Sequence, residues 1–163
     1  MQARVEYWKV APETLTAMRA VETYVRQSSL EPALLELVRL RASQINGCAY
    51  CIDMHTKDPR ARGASEQRLY ELVAWRETPF FAERERAALA WTEAVTRVAD
   101  SHVPDDVYEL ARRHFNEREL VDLTMAVVAI NAWNRLAISF RQVPGSYRPA
   151  TRPQRAETGA ALR

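Results

Sequence analysis

Two cysteines are the whole thiol content of the chain, and they stand together in Cys48-Ala49-Tyr50-Cys51. His55 follows Cys51 by four residues, and Glu36 precedes Cys48 by twelve. One helical turn brings sulfurs at this spacing within disulfide reach, and the unpaired amides of a helix start stabilise a thiolate. The chemistry this points to is that of a redox pair. On a helix, His55 projects from roughly the same face as both cysteines. A group with a reference pKa of about 6.5 is suited to take and return a thiol proton near neutrality. If the chain doubles back at Asn46-Gly47, Glu36 on the preceding helix is placed to orient the imidazole or to accept its proton.

Other uses of the same residues are weaker. Cys48, Cys51 and His55 are three candidate zinc ligands, with Glu36 a fourth, but no second Cys or His pair completes the usual structural set. His102 and His114 lie far along the chain and read as surface or packing residues. A buried free cysteine can also be no more than a small core hydrophobe. No glycine-rich phosphate loop or dinucleotide fingerprint is present, so no nucleotide or flavin cofactor is implied and electrons must arrive through another thiol. Arg39, Arg41, Arg60 and Arg62 bracket the cysteine helix; they would raise the local potential, although a solvated helix face is the commoner use of such arginines.

The elements that must position these groups read as helices throughout. Only four glycines occur in 163 residues, and the alternating β-branched runs and tight turns of a sheet protein are missing. Pro12 opens a helix with Leu15, Met18, Val21 and Val25 on one side, and Pro32 opens another that carries Leu34, Leu35, Val38, Ala42 and Ile45 into Asn46-Gly47. The cysteine helix should run from Cys48 to Arg62 or Gly63, with Pro59 as the residue to kink or shorten it. Ser65 caps a helix striped by Leu69, Leu72, Val73 and Trp75. Thr78-Pro79 opens the next, which continues through Trp91 to Val98, and Pro104-Asp105-Asp106 begins another. Asn116 and Glu119 form a capping box before an unusually apolar last helix, expected to be buried around most of its circumference as a central helix or an oligomer interface. Trp8, Trp75, Trp91 and Trp133 fall on or beside these apolar stripes and read as core or interface.

Charge and composition bound the rest. The formal net charge is +2, yet five arginines and one acid follow residue 140, so the first 140 residues carry 18 basic and 20 acidic side chains. Basic residues interleaved with aromatics are missing from that part, which argues against a nucleic-acid partner. No stretch approaches 18 uninterrupted apolar residues, so no membrane span is expected, and Arg4, Glu6 and Lys9 interrupt any secretory signal. The default compartment is cytoplasmic. Residues 1–145 are expected to form one helical domain, and residues 146–163, rich in Arg and Pro, a disordered tail.

The run Glu36-Leu-Val-Arg-Leu-Arg-Ala-Ser-Gln-Ile-Asn-Gly-Cys48-Ala-Tyr-Cys51-Ile-Asp-Met-His55 resembles the core of the carboxymuconolactone decarboxylase superfamily, specifically its alkylhydroperoxidase AhpD-like branch. The likeness covers roughly residues 10 to 142, and Asn131-Ala-Trp-Asn-Arg135 resembles the final helix of many such proteins. The resemblance implies an all-α fold with the CxxC motif at a helix start, and a thiol-dependent hydroperoxide reductase. It further implies Cys51 as the attacking thiolate, Cys48 as the resolving thiol, and Glu36 and His55 as the proton relay. It also implies re-reduction by a dithiol, whether a lipoyl group on a partner protein, thioredoxin or a small thiol, and a homo-trimer or a hexamer built from trimers. Helix-start geometry alone would instead make Cys48 the more exposed thiolate. Tyr50 departs from the pattern, since active members often have His there. A phenol is a poor proton acceptor at pH 7 but can donate a hydrogen bond. The decarboxylase branch lacks the Cys pair, which weighs against lactone decarboxylation. A general thiol:disulfide oxidoreductase and a non-enzymatic, oligomeric redox sensor are the alternatives.

Overall fold

The computed structural model describes residues 2–149, in which nine α-helices follow one another and no strand occurs among the described residues. They are α1 (Tyr7–Val10), α2 (Pro12–Arg26), α3 (Pro32–Asn46), α4 (Ala49–Ala61), α5 (Glu66–Glu71), α6 (Glu83–Thr96), α7 (Val98–Ser101), α8 (Asp105–His114) and α9 (Glu117–Ser139). The all-α expectation holds. Pro12 and Pro32 each sit in the first turn of their helix, where the missing N–H costs nothing. Asn116 Oδ1 accepts the Glu119 amide at 2.9 Å while the Glu119 carboxylate accepts the Asn116 amide at 2.9 Å, the reciprocal capping box.

Helix α3 is the centre of the molecule. Ten consecutive residues, from Leu34 to Ser43, are buried, so it packs on every side. Its Leu34, Leu35 and Val38 join Ala88, Trp91, Phe115, Leu123 and Val127 of the main core. Leu37 and Leu40 face Leu72, Trp75 and Leu89 in a second cluster, and Ala42 meets Cys48, Cys51, Ile130 and Ala137 in a third. Helix α9 shares this centre but is less enclosed than its composition led us to expect: Val121, Val128 and Ile138 remain exposed. Its 23 residues have the length and hydropathy of a membrane span, yet 44% of the most apolar stretch is buried inside the fold. Its polar groups are also spent internally, with Asp122 accepting the Tyr24 hydroxyl at 2.7 Å and Asn131 donating to Thr96 at 3.1 Å.

Four local expectations are corrected. Pro59 neither ends nor shortens α4, which continues to Ala61 with Pro59 buried inside it. The helix after Ser65 stops at Glu71 and tightens into a 3₁₀ segment, Leu72–Glu77, with Ala74 outside helical geometry and Val73 exposed. Helix α6 starts at Glu83 rather than at Thr78-Pro79, because Phe81 is drawn into the second cluster and Arg86 donates to the Trp75 and Thr78 carbonyls, holding the intervening chain non-helical. The expected tail is not free of contacts at its start: Tyr147 donates its hydroxyl to Asp58 at 2.7 Å, and Lys57 donates to the Tyr147 carbonyl at 3.3 Å, so Tyr147 lies against α4. The remainder of the expected tail, 150–163, falls outside the described residues.

Arg39 and Arg41, assigned above to a solvated face, are buried. Arg41 Nε donates to Glu93 at 2.7 Å, and Glu93 also accepts from Trp75 Nε1 at 2.9 Å and Arg76 at 2.6 Å. Burial pushes the Glu93 carboxyl upward, but these three donors outweigh it and hold it below the ordinary carboxylate range. Glu93→Ala leaves a buried guanidinium and an indole N–H without their acceptor. The expected loss is about 3 kcal/mol of unfolding free energy, read from the urea midpoint.

Candidate active site

The turn that creates the site is two residues long, Gly47 and Cys48. Gly47 closes α3 at φ 68°, ψ 30°, a left-handed conformation that Gly adopts without penalty. The Gly47 amide bonds to the Gln44 carbonyl at 3.2 Å and the Cys48 amide to Ser43 at 3.0 Å, the closure expected of such a helix end. The chain reverses, and Cys48 becomes the N-cap of α4. One turn later Cys51 donates its thiol hydrogen to Cys48 or accepts the reverse, with the sulfurs 2.8 Å apart and both cysteines free.

The two thiols are driven in opposite directions. The hydrogen bond with Cys51 pulls the Cys48 thiol down to about 7, burial opposes this, and the amides of Cys51 and Tyr50 at the helix start reinforce it. Cys51 moves up, because its hydrogen is held against the Cys48 sulfur and because it is buried. As pH rises through about 7 the pair therefore takes on its negative charge, centred on Cys48. Neither sulfur is exposed, at 1% and 2%, so the expected greater exposure of Cys48 is not found.

His55 and Glu36 meet as their spacing predicted. His55 Nδ1 lies 2.9 Å from Glu36 Oε2, with both residues buried. Glu36 Oε1 accepts from Arg39 at 3.2 Å and faces Arg62 at 3.5 Å, while Arg39 also pairs with Glu22. Burial pushes the Glu36 carboxyl up; the hydrogen bond from His55 and the charges of His55, Arg39 and Arg62 outweigh it, leaving the carboxyl below its usual range. With Nδ1 committed, His55 Nε2 is buried without a partner. Among the described residues no three His, Cys, Asp or Glu side chains converge on a metal-holding position.

A cavity of about 750 Å³ opens onto this group. Cys51, His55, Glu36 and Tyr50 line it, and Cys48 is not among its lining residues. Its walls are largely apolar, from Leu15, Leu35, Met54, Ile130 and Trp133, with the Glu22, Arg39, Asp58 and Arg62 charges on one side. A model of the carboxymuconolactone decarboxylase family matches residues 11–94. The uncharacterized protein YdfG of Bacillus subtilis is 45% identical over 139 residues, which cover 85% of this chain and 95% of that protein.

The chain belongs to the carboxymuconolactone decarboxylase family. A protein of unknown function from Agrobacterium tumefaciens, described as a putative antioxidant defence protein AhpD, is 46% identical and superposes with a TM-score of 0.86, covering 90% of this chain and all of that one. An uncharacterized peroxidase-related protein from Silicibacter sp. is 28% identical, with a TM-score of 0.73 over 82% and 71% of the two chains. In this carboxymuconolactone decarboxylase family member the fold is AhpD-like, with the Cys pair at the start of α4.

Within this family member the cavity also holds groups that sequence patterning missed. Tyr7, on a helix of only four residues, and Gln142, beyond α9, enter its wall together with Trp8. The Tyr7 hydroxyl approaches Gln142 Oε1 at 3.4 Å, and the Gln142 side chain also reaches Tyr50. Burial first, and then the nearby cysteines, push both phenols above their ordinary value, so Tyr7 and Tyr50 stay protonated as hydrogen-bond donors. The adjacent aromatics Tyr7-Trp8 before Pro12 were the available signal, but no periodicity tied them to the cysteines.

Proposed function

We propose that this protein is a thiol-dependent reductase of organic hydroperoxides that works through Cys51 and Cys48. The observation that carries this is the division of labour in the pair: Cys48 holds the charge, while Cys51 lines the cavity beside a His55 whose Nδ1 is fixed by Glu36. The putative antioxidant assignment of the Agrobacterium relative, at 46% identity, supports it.

The cycle begins when the Cys51 proton passes to the Cys48 sulfur across their hydrogen bond. The Cys51 thiolate attacks the terminal peroxide oxygen; the S–O bond forms, the O–O bond breaks, and the departing alkoxide takes a proton through His55 to leave as alcohol. Cys48 then loses its proton and displaces hydroxide from the Cys51 sulfenic acid, giving the disulfide. Two thiol sulfurs are oxidised, the peroxide gains two electrons, and one proton taken up converts the hydroxide to water. Tyr50 donates to the developing oxyanion rather than accepting a proton. A dithiol returns two electrons and two protons. Because Cys51 is reached through a cavity and neither cysteine lies at the surface, the reading favours a slender reductant such as a lipoyl arm or a small dithiol over the face of a thioredoxin. The same burial disfavours general reduction of protein disulfides.

The test is cumene hydroperoxide consumption with dihydrolipoamide supplied. The wild-type chain is expected to turn over and to lose two thiols per peroxide when the dithiol is omitted. If it consumes peroxide no faster than the Cys48→Ser/Cys51→Ser double variant, the proposal is wrong.

A further inference from the structure

Asn134 is wholly buried on α9, where the other buried residues, Asp122 apart, are Ala, Val, Ile and Leu. A carboxamide in such a place costs stability unless its hydrogen-bonding capacity is used. Its bonds fix which way it points. Oδ1 accepts from Asn46 Nδ2 at 2.9 Å, and the other Asn46 hydrogen goes to Asn131 Oδ1 at 3.0 Å. Nδ2 faces the opposite way and donates to Ser43 Oγ at 3.1 Å. Ser43 has already given its own hydrogen to the Arg39 carbonyl at 2.7 Å, so towards Asn134 it can only accept. A flipped amide would set oxygen against oxygen at Ser43 and nitrogen against nitrogen at Asn46. Nδ2 has two hydrogens and Ser43 takes one; the second is left on the face of α9 where Ile130 and Ala137, about one turn to either side of Asn134, pack against Cys48 and Cys51.

We infer that the Asn134 carboxamide is a locked N–H donor to the Cys48/Cys51 sulfurs, holding the negative charge that the pair passes between its members. The inference rests on the reading of the two cysteines as a redox pair and adds to it a group from the far end of the chain. The helix-start amides of Tyr50 and Cys51 serve Cys48; Asn134 also reaches Cys51, so it remains a donor when the charge moves there to attack. Asn46 and Ser43 act through it, as positioning residues that hold its orientation.

The experiment follows the sulfurs without any peroxide, so its outcome is separate from that of the peroxidase assay. Asn134→Asp keeps the shape and replaces the donor with an acceptor; Asn134→Ala removes it. The midpoint pH of iodoacetamide alkylation, read by mass spectrometry as modification of the Cys48/Cys51 pair, is expected to rise by at least one unit in Asn134→Asp and by a smaller amount in Asn134→Ala. Equilibration with dithiothreitol at about pH 9, above both midpoints, is expected to show the disulfide favoured about tenfold more in the Asp variant, equivalent to about 30 mV for a two-electron couple. Ser43→Ala, which takes away the acceptor that helps fix the amide's orientation, is expected to move the midpoint in the same direction by less than Asn134→Ala does. If the Asp variant does not fold by circular dichroism, the Ala variant decides. A folded variant whose melting temperature falls while the alkylation midpoint and the dithiothreitol equilibrium stay at wild-type values assigns Asn134 a packing role and overturns the inference.

Discussion

Cys51→Ser is expected to remove peroxide turnover by at least ~10³-fold, because it deletes the sulfur that faces the cavity. The Cys48 thiolate survives this change, and since its sulfur is outside the cavity lining it does not substitute. Cys48→Ser should behave differently. Cys51 still lines the cavity but has lost the acceptor for its proton and the thiol that closes the disulfide. It is expected to react slowly, once, and to accumulate a sulfenic acid that dimedone traps at position 51. The two variants therefore separate the group that carries charge at rest from the group that attacks. Dimedone adduct on Cys48 in the Cys51→Ser variant, formed at the wild-type rate of peroxide loss, would reverse the assignment.

Glu36→Gln is expected to lower kcat/KM by about 10²- to 10³-fold, with folding retained. The carboxylate is buried, accepts from His55 Nδ1 at 2.9 Å, and draws Arg39 and Arg62 towards it. A carboxamide can turn its NH2 towards Nδ1, which makes Nδ1 an acceptor, places the ring's single proton on Nε2, and leaves Nε2 unable to take up a proton for delivery. The pH profile checks this independently. Glu36 is held below the ordinary carboxylate range, so its ionised form is present above that lowered pKa and is lost only as pH falls through it. Wild-type activity should thus show no acid limb from Glu36 between pH 5 and 7, while its alkaline rise follows Cys48 near 7. In Glu36→Gln the rate should fall across the whole range rather than shift along it.

The arrangement of the cysteine hairpin was legible because it is local. Glu36 and His55 are nineteen residues apart, and a single left-handed glycine folds the intervening chain into a helical hairpin, so spacing alone brought carboxylate, imidazole and sulfurs together. Helices α2, α3, α8 and α9 were legible for a similar reason, each opened by Pro or Asn at a position where chemistry at the helix end decides the conformation. Elements governed by tertiary docking were not. The start of α6 depends on where Phe81 is buried, and the burial of Arg39 and Arg41 depends on Glu22 and Glu93, which come from other helices. Tyr7 and Gln142 have no local pattern that marks them, because their place follows from the packing of the two ends of the chain against each other.

Those ends have a consequence for how this protein tolerates change. The Arg4 amide bonds to the Phe140 carbonyl at 2.9 Å, the Tyr7 and Phe140 rings lie 5.5 Å apart, and Tyr7, Trp8 and Gln142 then form part of the cavity wall. Terminal segments are ordinarily where trimming, fusion and sequence drift do least harm. Here residues 4–8 and 140–142 make a clasp that adds little to the helical core but decides the shape of the chamber in front of Cys51. Substitutions in these two segments are therefore expected to change what the chamber admits while the cysteine hairpin keeps its geometry.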